Sequence, residues 1–253
     1  MVSNTLLLSY TPARIVSLVP SQTELLYDLG LEKQVVGITK FCVHPKKWHT
    51  SKKRVGGTKS LHLDAIKALQ PDLIIANKEE NTREQVEELS AQFPVFVSDI
   101  QTIEDALSMI RQVGDLTGKA KEATSLAGEI ETGFANFKKA PVPKRVAYFI
   151  WQKPWMCTGG DTFISDVITK IGWQNALADQ DRYPEITEDA LKELNPELVL
   201  LSSEPFPFKE AQVAEMKKIL PKATIKLVDG EMFSWYGSRM KKALPYFSQI
   251  TRW

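Results

Sequence analysis

The chain has 253 residues, 43% hydrophobic and 25% charged, with a formal net charge of +1. That length buries a proper core as one large domain or as two lobes, and the composition is that of an ordinary soluble globular protein. The balanced charge argues against a nucleic-acid partner, and no run approaches the roughly 18 to 20 apolar residues that insert into a membrane.

The opening MVSNTLLLSYTPARIV has no basic n-region, and its LLL falls short of a signal-peptide core of about 7 to 15 apolar residues. This favours a cytoplasmic location, or a periplasmic one if a leader has been removed. RIVSLV, residues 14–19, reads as a buried strand that Pro20 ends. Ser21 to Glu24 (SQTE) matches a capping box with Ser21 at the N-cap. Leu25, Leu26 and Leu29 then supply an apolar helix face, and Gly30 closes the helix. Further on, 35–39 reads as a strand, 63–69 as a helix, 73–76 as a strand, 82–92 as a helix and 94–98 as a strand, with a helix starting at Thr102. Residues 119–139, KAKEATSLAGEIETGFANFKK, form one long helical pattern, which would span about 30 Å. After Ala-Pro-Val-Pro the pattern resumes with strands at 146–151, 198–202 and 224–228 and a helix at 163–171. A last helix starts near Ser238, with Pro245 inside it or bending it.

The chain also carries a faint internal copy. DAIKALQPDLIIA starts at Asp64 and DALKELNPELVLL at Asp189, with six of thirteen positions identical. Each copy reads as an amphipathic helix, a Gln-Pro or Asn-Pro break, and a buried strand. Strands alternating with helices imply parallel sheets. The expected fold is therefore α/β: two α/β lobes with parallel sheets, joined by a single long backbone helix, with a ligand cleft between the lobes. The boundaries are an N-terminal lobe at 1–116, a linking helix at 117–140 and a C-terminal lobe at 141–253.

In parallel sheets, ligands sit beyond the C-terminal ends of the strands, so the post-strand segments carry the candidates. Cys42 and His44 lie in Phe-Cys-Val-His-Pro, where an extended backbone turns both side chains to one side. Thiolate and imidazole suit zinc, iron or cobalt, with a third ligand from Cys157, Asp161 or the bound molecule. The alternative is a buried thiol beside a hydrogen-bonded histidine. Trp151 and Trp155 bracket Gln-Lys-Pro, and Gly159 and Gly160 follow. These glycines either let the backbone approach an anion at the next helix start or form only the turn into it. Tyr183, Phe206, Phe208, Trp235 and Tyr236 add aromatic rings. So many in loops suit a large flat ligand, with Arg239 as an anchor for its carboxylate, amide or phosphate. Asn81 and Arg83 lie in a polar run after a strand, where most such residues are solvated.

Several stretches together resemble the cobalamin and iron-siderophore substrate-binding proteins of ABC importers: RIVSLVPSQTELLYDLG, VVGITKFCVHP, VGGTKSLHLDAIKALQPDLIIA, the long linking helix, and DGEMFSWYGSRM. The resemblance covers nearly the whole chain from Arg14 on. It implies two lobes on a rigid helix, a ligand between them, small lobe motion and no catalysis. It implies a ring at Phe41 packing against the ligand, and an acidic residue on each lobe, Asp64 and Asp189, pairing with arginines of an ABC permease. Both are Asp where Glu is usual, and an acid in a first helical turn also favours the macrodipole. Cobalamin receptors carry tryptophans near the positions of Thr58 and Asn77, so stacking surface is missing from the first lobe.

The expected function is a substrate-binding protein for a metal-bearing compound, whether corrinoid, haem-like or ferric siderophore, working with an ABC permease. Phe41, Trp155, Tyr183, Trp235 and Tyr236 would wall the ligand and Arg239 would anchor it. The protein would be a monomer, not an enzyme and not membrane-inserted, with no intrinsic cofactor and the metal or corrinoid bound as cargo. One alternative is a cytoplasmic corrinoid- or metal-binding relative for handling or sensing. Another is a metal-dependent enzyme built on Cys42, His44 and Asp161, against which no nucleophile elbow or metal-hydrolase motif is present.

Overall fold

The computed structural model describes residues 6–253. Met1 and the four residues after it, on which the reading of the N-terminus partly rests, lie outside the described residues. The chain divides into two compact units. The first runs to Asp99, takes in Glu104–Glu131 and includes Tyr236–Arg239; the second comprises Ile100–Ile103, Thr132–Trp235 and Met240–Trp253.

Unit one alternates strands and helices: β1 (Ile15–Ser17), α1 (Pro20–Asp28), β2 (Val35–Ile38), α2 (Lys46–Ser51), β3 (Lys53–Arg54), α3 (Leu63–Ala68), β4 (Leu73–Asn77), α4 (Arg83–Ser90) and β5 (Val95–Ser98). Most of α5 (Ile103–Leu116) and α6 (Ala120–Ala135) follow. Its sheet has the order β3-β2-β1-β4-β5, and every pairing is parallel. Helical crossovers enforce this, because parallel neighbours cannot be joined by a tight hairpin. β1 and β4 are buried along their whole length, which is why they read as unbroken apolar runs rather than alternating ones. One face packs Val16, Leu18, Ile74 and Ala76 against Ile66 and Leu89 from the helices.

Unit two contains β6 (Arg145–Trp151), β7 (Met156–Cys157), α7 (Phe163–Lys170), β8 (Gln174–Asn175), α8 (Glu188–Leu194), β9 (Leu198–Ser202), α9 (Glu210–Ile219), β10 (Thr224–Val228), α10 (Gly230–Ser234) and α11 (Arg239–Ile250). The sheet order is β10-β9-β6-β7, with β8 also paired to β6. Its core clusters Phe149, Val199 and Leu201 with Leu191 of α8 and Met216 of α9.

The internal copy is structural as well as sequential. α3 and α8 each end at a residue in the left-handed region before proline, Gln70 with φ 42° and Asn195 with φ 44°. The acid two places later then ties down the strand that pairs with the copy's own strand. Asp72 accepts the backbone N–H groups of Ala13 (2.7 Å) and Arg14 (2.8 Å), and Glu197 accepts that of Arg145 (2.9 Å). Both acids also donate their own N–H to that strand, to Arg14 O and Arg145 O.

Three expectations are corrected. The second sheet is not wholly parallel: β7 runs antiparallel to β6, because only the short stretch 152–155 joins them. Ser21 is not an N-cap. Pro20 takes the first helical position, which its fixed φ favours, so Val19 becomes the N-cap and makes no side-chain cap bond. Glu24 is thereby freed from the capping box and is buried. The helix expected over 119–139 ends at Ala135 and has 16 residues, about 24 Å; Pro141 and Pro143 lie just beyond, where the chain has no regular structure. The final helix does run through Pro245.

Candidate ligand-binding site

The C-terminal strand ends of unit one are laced by buried polar side chains. The Thr23 hydroxyl of α1 lies 2.7 Å from Ser17 Oγ and 3.1 Å from Cys42 Sγ. Thr39 Oγ1 lies 3.2 Å from the same sulfur. Asn77, at the end of β4, donates to Ser98 O (3.0 Å) and Ser98 Oγ (3.1 Å). Asn81 accepts from Asn77 N (2.9 Å) and donates to Thr58 O (3.1 Å). Buried polar groups must be paired in this way, and the pairing fixes the loops that follow the strands.

On that frame Cys42 is fully buried. Burial pushes its thiol up, against the opposing pull of the Thr23 and Thr39 hydrogen bonds. Cys157 is buried too, burial raising its thiol well above the ordinary value, and both cysteines are free. His44 is half-buried, and His49 Nδ1 lies 3.3 Å from the Cys42 carbonyl oxygen. Among the described residues, no group of three or more His, Cys, Asp or Glu side chains is arranged to hold a metal.

Phe41 is the exposed residue of this loop, 51% accessible. Lys40 Nζ sits 5.0 Å from its ring centroid, a cation–π distance. Gly57 lies beneath: a Cβ there would be 3.2 Å from the Phe41 ring and 3.3 Å from Lys40 Cε. Arg239, expected as a ligand anchor, is buried, and its Nε donates to Glu24 Oε2 at 2.7 Å. Tyr236 is buried as well. Asn81 belongs to the buried web, while the exposed Arg83 pairs with Glu87 (2.7 Å). Asp64 is exposed in the first turn of α3. In unit two Asp189 is exposed in the first turn of α8, 3.0 Å from Lys192 Nζ.

The aromatic residues of unit two form a chain from core to surface. Trp155 is buried, stacked on Phe208 (6.1 Å, 4°) and edge-on to Phe149 (5.5 Å, 80°). Phe208 meets Phe206 (4.8 Å), and Phe206 meets Trp151 (5.6 Å, 71°). Trp151, at the C-terminal end of β6, is 39% exposed. Tyr183 is half-buried. Gly159 and Gly160 serve the turn: their N–H groups donate to Arg182 O and Gln180 O. A Cβ on either would fall 2.4 Å or less from a backbone oxygen.

Beyond β9 and β10 lies a cavity of ≈ 550 Å³ lined by Ser203, Glu204, Leu227, Val228, Asp229 and Glu231. Glu204 Oε1 accepts from Trp235 Nε1 (2.8 Å) and Ser234 Oγ (2.7 Å). Burial raises the Glu204 carboxyl above its usual range, with the nearby Glu231 and Asp229 charges adding to the rise. Trp235 is thus buried and tethered. Sequence reasoning passed over Glu204 and Lys40; a carboxylate in Glu-Pro-Phe-Pro straight after a strand, and a cation beside an exposed ring, were the available signals.

Two α/β units whose strand ends carry these residues invite comparison with known binding proteins. An uncharacterized ABC transporter substrate-binding lipoprotein, YvrC of Bacillus subtilis, is 29% identical over 200 residues, which span 75% of this chain and 63% of that relative. A vitamin B12-binding protein of Vibrio campbellii is 28% identical over 214 residues, 82% of this chain and 77% of the relative. The solved periplasmic heme-binding protein RhuT of Roseiflexus sp. RS-1, in apo form, superposes with a TM-score of 0.80 at 21% identity, covering 94% of this chain and 96% of its own. That likeness shows the fold. Residues 15–221 match the family model described as periplasmic binding protein; that stretch holds the whole first sheet and every strand of the second except β10, and the chain belongs to the periplasmic binding protein family.

Proposed function

We propose that this chain is the substrate-binding component of an ABC importer, and that its cargo is a large, partly planar, metal-bearing compound: a corrinoid, a haem-like tetrapyrrole or a ferric siderophore. The observation that carries the ligand class is the exposure of aromatic rings at strand ends. Phe41 follows β2, and Trp151 ends β6 beside the half-buried Phe206, which follows β9. A chain that buries Trp48, Trp155, Trp173 and Trp235 has no packing reason to leave Trp151 in water, whereas a flat ligand gains from stacking on it. The relatives named for ABC transport and for vitamin B12 support the same reading. The cargo is a ligand, not a resident cofactor, and the protein works as a monomer. Cys42 is read as a structural thiol, given its two threonine partners. Phe41 of unit one and Tyr183 of unit two are the proposed ligand contacts, while Trp155, Trp235 and Arg239 are buried. We place the protein outside the cytoplasm, since its relatives are named as a lipoprotein and as periplasmic proteins, and the cytoplasmic expectation finds no support among them.

Tryptophan quenching, corrected for ligand absorbance, against cyanocobalamin, cobinamide, hemin and a ferric hydroxamate tests this. Saturable quenching by one compound, weakened at least about tenfold in Trp151→Ala by loss of a stacking contact, is expected; no saturation with any of the four overturns the reading. Asp64 and Asp189 are proposed as the permease contacts. Asp64→Lys with Asp189→Lys should abolish uptake in cells while leaving ligand affinity unchanged, and unimpaired uptake would refute the assignment.

A further inference from the structure

The surface of unit one around α2 and β3 is strongly basic. Residues 46–54 read KKWHTSKKR and hold Lys46, Lys47, Lys52, Lys53 and Arg54. The fold brings Lys33 to the same place. Lys47 Nζ lies 2.6 Å from Glu32 Oε1, and Lys52 Nζ donates to the Glu32 carbonyl, so Glu32 and the adjoining Lys33 sit among these cations. β3 is the edge strand of the sheet, and both of its residues are exposed. Lys33, Lys46 and Lys47 are exposed too. The carboxylate set among these cations is Glu32, and the chain's total charge is +1. Beside them Tyr27, 38% exposed, stands edge-on to the fully buried Trp48 (5.3 Å, 89°).

Lysine on a sheet edge also blocks pairing with other strands. That accounts for Lys53 and Arg54, but not for Lys33, Lys46 and Lys47, which lie off the strand. We propose that this face docks onto the anionic phospholipid headgroups of a bilayer surface. All the cations but one are lysines, whose compact ammonium groups attract anions without fixed geometry. The arginine already donates to His49 O (2.9 Å). Such a lysine field suits many diffuse phosphates rather than one bidentate partner, as in polybasic segments at anionic membranes. Tyr27 adds an amphipathic ring of the kind that settles at headgroup level. The contact is peripheral: among the described residues, no helix is long and apolar enough to cross a membrane.

The test is co-sedimentation of the full chain with vesicles of phosphatidylcholine alone or mixed with phosphatidylglycerol. Binding is expected only with the mixed vesicles, and should vanish near 1 M salt, where the screening length falls to about 3 Å. Lys33→Glu, Lys46→Glu and Lys53→Glu together should lower partitioning at least about tenfold with an unchanged circular dichroism spectrum. Tyr27→Ala should weaken the binding that persists at intermediate salt. Equal binding by the triple variant, or none to the mixed vesicles, overturns the proposal. So does equally tight binding to duplex DNA at the same salt, which would make the face a general polyanion site.

Discussion

Arg239 and Glu24 show how a single residue changes meaning between sequence and structure. An arginine after Trp-Tyr-Gly-Ser looks like a ligand anchor, and a glutamate three places after Ser21 looks like half of a capping box. They meet instead as a buried ion pair at 2.7 Å. Removing one partner strands a buried charge, so Glu24→Gln or Arg239→Met should each lose ~3 to 5 kcal/mol of stability in urea unfolding. Replacing both by apolar residues should recover much of that. Single-variant losses below about 1 kcal/mol, the range of an exposed pair, would contradict the burial. Glu204 makes a pH prediction. Its carboxyl is raised above 4.5 mainly by burial, so the folded state holds a proton that the unfolded state gives up sooner. Stability from this group is complete below about 4.5 and is lost as pH rises through the folded value. Glu204→Gln should flatten that decline in thermal melts taken across the range; an unchanged slope would count against it.

At the scale of elements, the longer strands and most helices were legible because buried parallel strands are short apolar runs bounded by Pro, Gly and Asn. β9 and β10 occupy the expected positions, 198–202 and 224–228. α2, β3, β7, β8, α9 and α10 were not foreseen. β7 is two residues long, too short for any period to register, and α9 lies in a polar stretch of mixed charge. The repeat read from identity alone acquires a mechanical sense: the acid after each left-handed break fastens the neighbouring strand. Asp72 accepts two N–H groups just before β1, and Glu197 accepts that of the first residue of β6. A hydrogen bond to a charged group contributes about 1.5 to 3 kcal/mol, less where water competes. Asp72→Asn should therefore lower the urea midpoint more than Glu197→Gln, and the reverse order would mean that the two copies are not mechanically alike.

For the whole molecule, a ligand that binds only the folded chain must stabilise it, by ~2.7 kcal/mol at about 100 times its Kd. The compound that quenches tryptophan should therefore also raise the melting temperature. The sequence by itself determined the α/β class, the strand positions, the repeat and the family likeness, because periodicity, turn residues and motif order are local properties of the chain. Only the tertiary structure decided which aromatic rings remain in water, that Cys42 is engaged by two threonines, and that Tyr236–Arg239 belongs with unit one. Burial and pairing depend on partners distant in sequence, Glu24 and Arg239 being 215 positions apart. No local pattern records whether a tryptophan after a strand turns inward, as Trp155 does, or stays at the surface, as Trp151 does.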